Sequence, residues 1–358
     1  MEVLGPRALN RALLARQLLL GRVEMALPTA IERVVGLQAQ ATAPPYYGLW
    51  SRIDGFDPHE LGRLLVDRKL VRIKLMRGTV HMVGPADAAW LRPLVQVVIA
   101  RGHNGAFGRR MGSADPARVG EVVGELLAGG PLTGRELGRR GIGDDEEALA
   151  NAALTYAPLV QIPPRGIWGA AGQARYATLE AWTGRDLEAR PSAQELVLRY
   201  LRGFGPASVM DAQNWSGLTR LGAVFEGLRP RLESFADEHG RELFDLPDAP
   251  RPGPDVRAPV RFLGEYDNVL LGHADRRRIV PEGLVWEAQA GRAVNRVLVD
   301  GMLRATWRIE RARKAGARLV VQALEELSGG ERDDVLAEAT GIAAFAAPDD
   351  PPEVEFSS

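Results

Sequence analysis

The hydrophobic period of this chain changes at DAPRPGPD, residues 248–255, and no single repeating architecture satisfies both sides of that change. Before it, apolar residues recur at helical spacing, interrupted by short alternating runs. After it come VRFL, NVLL, GLVWEA, RVLVDG, LRATWRIER and RLVVQAL, which read as strands, with Asp300-Gly301 as a tight-turn signal. Three prolines and a glycine make the segment between them a linker. At 358 residues the chain also exceeds the usual size of one hydrophobic core, so several packed units are expected. Helical character resumes over 325–346, and the tail PDDPPEVEFSS is expected to be poorly ordered.

The part before the linker divides further. Residues 7–21 read as an amphipathic helix with Leu9, Leu13 and Leu20 near one face. A second helix starts after Pro28 and Thr29, runs through Ile31, Val34, Val35 and Leu37, and is stopped by Pro44 and Pro45. A third follows Asp57 and Pro58, and VRIKLM and TVHMV then form two β-runs around Arg77 and Gly78. Three helices and a hairpin make a winged-helix pattern. It recurs with a helix over 116–128, a capping box at Thr133 and Glu136, a helix opened by Asp144 and Glu147, and a hairpin of LVQI, PPRG and IWG. Ser192 and Glu195 open a third round, closed by LESFADEHGRELFDL with its turn near His239 and Gly240. The expected fold is α+β: about three tandem winged-helix units over 1–112, 113–190 and 191–250, then a β-rich antiparallel subdomain with a terminal helix over 251–358.

Composition excludes several classes of function. The absence of cysteine removes disulfides, thiolate nucleophiles and Cys-containing zinc sites, and suits a reducing compartment. Arg7, Arg11 and Arg16 interrupt the first thirty residues, which therefore lack the apolar core of a secretory signal, and no run reaches the roughly 18 apolar residues of a membrane span. A cytoplasmic protein is expected. Five scattered histidines carry no metal-ligand spacing, and no Walker loop, nucleophile elbow or dinucleotide fingerprint occurs, so neither a metal nor a cofactor is expected. A net charge of −1 gives no global sign of nucleic-acid binding, which places any such function in local patches.

GLQAQ, residues 36–40, is the segment most suggestive of chemistry. On a helix, Gln38 and Gln40 would point to different faces; in an extended segment they share one. The two amides therefore converge only if the helix ends beside them. Taken alone, the pair reads more readily as two solvated glutamines at a helix terminus, since short motifs match by chance.

GLQAQ is followed by LVRIKLMRGTVHMV, by YLRGFGPASVMDAQNWSGL and by LGEYDNVLLGHADRRRIVP. In that order and spacing, over roughly residues 7–325, the chain resembles the AlkZ and YcaQ group of winged-helix DNA glycosylases. The resemblance implies an array of winged-helix units, removal of alkylated bases from double-stranded DNA, and a catalytic Q-x-Q matched by Gln38 and Gln40. Self-resistance to a genotoxic natural product and unhooking of interstrand crosslinks belong to the same implication. A glutamine amide does not titrate near neutral pH and cannot be an ordinary general base. It can position water, and a purine alkylated at N7 or N3 is already a cationic leaving group. A monomeric, metal-independent hydrolase follows, with a non-catalytic winged-helix regulator as the competing reading.

Other residues are weaker candidates. Arg77 and His81, in the expected hairpin, can approach the lesion or its phosphates, with Arg77 exposed at the turn; His81 reads more readily as a packed strand histidine. Asp267, Asn268, His273, Arg276, Arg277 and Arg278 form the densest basic cluster and can clamp phosphates, or form a solvated charged turn. Glu265 and Asp267 can supply a carboxylate, although acidic residues beside three arginines also suit structural ion pairs.

Overall fold

The computed structural model describes residues 1–111, 115–141, 145–284, 294–312 and 316–357. Its strands are Val3–Leu4 (β1), Leu37–Gln38 (β2), Val71–Lys74 (β3), Val80–Val83 (β4), Leu132–Thr133 (β5), Leu159–Ile162 (β6), Arg175–Thr178 (β7), Glu233–Asp237 (β8), Glu242–Asp245 (β9), Arg261–Leu263 (β10), Asn295–Val299 (β11), Met302–Ala312 (β12), Gly316–Ala323 (β13) and Glu353–Ser357 (β14). They form three sheets among the helices, ordered β2-β4-β3-β6-β7-β5, β1-β8-β9 and β10-β11-β12-β13-β14. The α+β class is as expected. No described helix is long and apolar enough to cross a membrane.

Helix starts follow local chemistry closely. Asp57 caps Pro58–Val66 by accepting from His59 N, Thr133 and Glu136 form a reciprocal capping box, and Ser192 caps Ala193–Phe204. The helix Glu146–Tyr156 is capped by Asp145; the cap expected at Asp144 lies outside the described residues, as do most residues of the expected run GLVWEA. Asp300 and Gly301 turn β11 into β12 with positive φ at both positions, as a two-residue hairpin requires.

Several expectations fail where distant contacts override local pattern. The second helix ends at Arg33, and Pro44 and Pro45 begin the helix Pro44–Trp50 instead of stopping the previous one. Proline suits a first turn, whose N–H groups have no intrahelical partner. IWG is not the returning strand of the second hairpin; β6 pairs with β7, and Trp168 packs against Tyr46 and Phe345. The tail is ordered: β14 adds to the sheet edge in parallel with β13, and its Phe356 packs against that sheet's core. β3 also pairs with β6, Arg72 opposite Gln161, so the first two hairpins share one sheet across the boundary expected at 112/113.

The core around the Q-x-Q segment includes Ile31, Val34, Leu37, Ala39, Leu49, Leu65, Val80 and Met82. A larger one joins the Pro6–Arg16 and Ala193–Phe204 helices to β3 and β10, and a third seats Val335, Ala339 and Ile342 of the terminal helix against Phe262, Trp307 and Val321.

Candidate active site

The helix Leu27–Arg33 stops because the chain turns left-handed immediately after it, with φ of +61° at Val35 and +81° at Gly36. A Cβ at position 36 would sit 2.6 Å from Val83 Cγ1, so glycine is needed for both conformation and space. Gly36 N donates to Ile31 O at 2.8 Å, closing the helix end. The chain then runs extended. Leu37 pairs with Met82 and Gln38 with His81, and Ala39 N donates to Val80 O at 2.7 Å. Leu37 and Ala39 enter the core, while Gln38 is half-buried and Gln40 exposed. Burial therefore alternates over residues 37–40, with both glutamines less buried than their apolar neighbours, and β2 itself ends at Gln38.

Long-range donors hold this segment in place. Asn268 Nδ2 donates to Val34 O at 2.8 Å and to Gly36 O at 2.7 Å, and the guanidinium of Arg72 donates from Nη2 to Ala39 O at 2.9 Å. Asn268 is itself fixed by its neighbour. Asp267 caps the short helix Asn268–Leu271 and makes a two-pronged ion pair with Arg52, at 2.7 and 2.9 Å, with both side chains buried. Burial pushes Arg72 down to about 10, which leaves it charged at neutral pH.

The amide orientations follow from their partners. Gln38 Oε1 accepts from Arg77 Nη2 and Gln40 Oε1 from the backbone N–H of Val80, each at 3.1 Å. Both partners can only donate, so the oxygens, not the NH2 groups, face the hairpin. Each oxygen keeps one lone pair for another donor. The site is therefore two amides, Gln38 at the end of β2 and Gln40 two residues beyond it, each oriented by a donor of the β3–β4 hairpin.

Arg77 is not exposed as expected. The residue is half-buried, its Nη1 donates to Trp215 O, and burial of the guanidinium lowers its pKa to about 10. His81 is buried beside Gln38, and Nδ1 donates to Thr79 O at 3.0 Å, the backbone oxygen being an acceptor only. Burial, with the Arg77 charge second, depresses it to about 3, so His81 is neutral and available as an acceptor at Nε2 but not as an acid.

The C-terminal cluster is placed differently from its expected surface. Asp267, Asn268, His273 and Arg278 are buried and bonded within the protein, His273 Nε2 to Phe204 O and Arg278 Nη1 to Pro206 O, so contact with phosphate would require their removal from the core. Arg276 Nε donates to Leu270 O, and the exposed Arg277 is paired with Asp275 at 2.6 Å. Glu265 is half-buried, and its carboxyl is raised by burial. Sequence reasoning missed Arg72 and the pinning role of Asn268. It also missed two arginines that are exposed and without a partner among the described residues: Arg101, on the helix Gln96–Phe107 that packs against the Met76–Gly78 turn, and Arg220, three residues beyond Gly217. Nothing in the sequence distinguishes those two arginines from the others. Among the described residues no three His, Asp or Glu side chains are grouped as a metal site.

Residues 31–345 match the family model described as DNA glycosylase AlkZ-like. An interstrand DNA cross-link repair glycosylase of Streptomyces sahachiroi is 24% identical, with 82% of this chain and 85% of that protein covered. The solved structure of the Streptomyces sahachiroi DNA glycosylase AlkZ superposes over 100% of both chains with a TM-score of 0.77 at 22% identity. The chain belongs to the AlkZ-like family of DNA glycosylases.

Proposed function

We propose that this enzyme hydrolyses the N-glycosidic bond of purines alkylated at N7 or N3 in double-stranded DNA, with Gln38 and Gln40 orienting the attacking water. One observation carries the reading: two amide oxygens two residues apart, each held by a donor-only partner on the same hairpin and each with a lone pair left. A water accepted by both has its own oxygen directed at the anomeric carbon. The C1′–N9 bond breaks with its electron pair going to the base, which is cationic before cleavage and leaves neutral. Water adds at C1′, and its proton passes to solvent. No acid is needed for the leaving group, which suits a site whose histidine is held neutral. The amide dipoles and the DNA phosphates stabilise the oxocarbenium-like sugar. Arg101 and Arg220 are the proposed phosphate contacts beside the hairpin. Among the described residues neither glutamine is hydrogen-bonded to a lysine, which supports a monofunctional enzyme that leaves an abasic site.

The proposed substrates include bulky adducts and interstrand crosslinks, on the likeness to the crosslink-repair glycosylase. The test is a panel of duplexes carrying N7-alkylguanine, N3-alkyladenine or a crosslink, scored for base release with EDTA present. Release from adducted duplexes, with no borohydride-trapped enzyme, is expected. Binding without release from any of them would make the chain a DNA-binding protein, and loss of release on chelation would contradict the metal-free mechanism.

A further inference from the structure

We infer that Arg77 is the positioning residue of the Gln38 amide, so that the β3–β4 hairpin sets the polarity of the site; this rests on the reading of Gln38 as a working group. An amide presents an acceptor or a donor depending on a half-turn of its last torsion, and the two states do opposite chemistry toward water. Arg77 Nη2, 3.1 Å from Gln38 Oε1, permits one of them.

Three further observations indicate that the hairpin is built for this contact. The Arg77 backbone is left-handed, with φ 55° and ψ 14°, where glycine would sit more easily, so an arginine here is retained for its side chain. Its other nitrogen is anchored on Trp215 O, at the end of the helix Val209–Ser216. The chain then turns at Gly217, with φ +79°, where a Cβ would lie 2.6 Å from Val98 Cγ1 and 3.5 Å from Arg77 Cα, so the DAQNWSGL segment closes directly on the arginine. No carboxylate faces the guanidinium among the described residues. Its charge rests on two carbonyl oxygens, and it draws electron density from the Gln38 amide while one lone pair remains for the substrate water. Arg77 touches no reacting atom in this arrangement; it acts through Gln38.

The decisive experiment is a double-mutant cycle on single-turnover base release from an N7-alkylguanine duplex, with duplex Kd measured in parallel. Arg77→Gly removes the side chain while suiting the backbone, and Arg77→Lys keeps the charge but loses the fork. Arg77→Gly is expected to slow release on the order of 10²-fold with Kd changed less than about threefold. Arg77→Lys should recover part of that rate. In a Gln38→Ala background Arg77→Gly should cost nothing more, whereas in Gln40→Ala its effect should persist. A full further loss on top of Gln38→Ala, a loss confined to Kd, or a wild-type rate would overturn the inference. If Arg77→Gly fails to fold, the same cycle with Arg77→Lys decides it. A wild-type rate for Gln38→Ala alone would instead overturn the catalytic reading of Gln38.

Discussion

The segments 34–40 and 265–278 both stand out in the sequence for polar side chains, yet the fold uses them in opposite ways. In the first, the backbone polar groups are bonded inward and two uncharged amides remain, half-buried at Gln38 and exposed at Gln40, each oriented by the hairpin. In the second, the charges are consumed: Asp267 by Arg52, Arg278 by Pro206 O and Arg277 by Asp275. The contrast shows that charge density along a sequence is a poor guide to a nucleic-acid surface when those charges are needed to join distant parts of a chain. Here the C-terminal segment serves the site by holding it, because Asn268 takes the carbonyls of Val34 and Gly36 just ahead of Gln38.

That division of labour can be broken from the C-terminal side first. Arg52→Ala orphans a buried carboxylate, and breaking such a pair costs about 3–5 kcal/mol, a large part of a typical domain's stability. A denaturant titration should show it, and a loss under about 1 kcal/mol would mean that the clasp is dispensable. Asn268→Ala strips two buried carbonyls of their donor and should cost about 2 kcal/mol. It should also slow base release in the folded fraction, since the strand carrying Gln38 is freed. Release at the wild-type rate from folded Asn268→Ala protein would separate the two segments after all.

Acid sharpens the comparison without mutation. His81, beside Gln38, and His273, in the C-terminal segment, are both depressed by burial to about 3, against an ordinary value of 6.5. Between those values the unfolded chain binds protons that the folded one refuses, so stability is complete above about pH 6.5 and falls as pH drops toward 3. Thermal melts from pH 7 to 5 should show a steady fall in Tm. A flat Tm would mean that the histidines protonate in place.

The smallest effects concern the surface. Arg101→Ala and Arg220→Ala should each weaken duplex binding and lower its salt slope by about one. Arg277→Ala, already neutralised by Asp275, should change affinity less than about twofold. The reverse ranking would restore the DNA clamp to 276–278.

What the sequence made legible was what short-range chemistry decides. Thr133 with Glu136, Asp57, and the Asp300-Gly301 turn each specify an element by contacts within a few residues, and each is present. The convergence of Gln38 and Gln40 was legible as a condition, that the helix end beside them. Its fulfilment was not, because Ile31, Val34, Val35 and Leu37 continue a helical spacing through a point where Val35 and Gly36 turn left-handed. The tail failed for a related reason: the edge of β13 that orders Glu353–Ser357 is formed by residues far from it in sequence. Likewise, no local pattern shows that Asn268 reaches position 36 or that Arg77 reaches Gln38.

Gln38 and Gln40 are proposed to do chemistry and not scaffolding. Single-turnover release of an N7-alkylguanine base by Gln38→Ala and Gln40→Ala, alongside melting temperature and duplex Kd, tests that proposal most directly. Both variants should fold and bind like the wild type while releasing base on the order of 10²-fold more slowly. Wild-type release rates in both variants would contradict it.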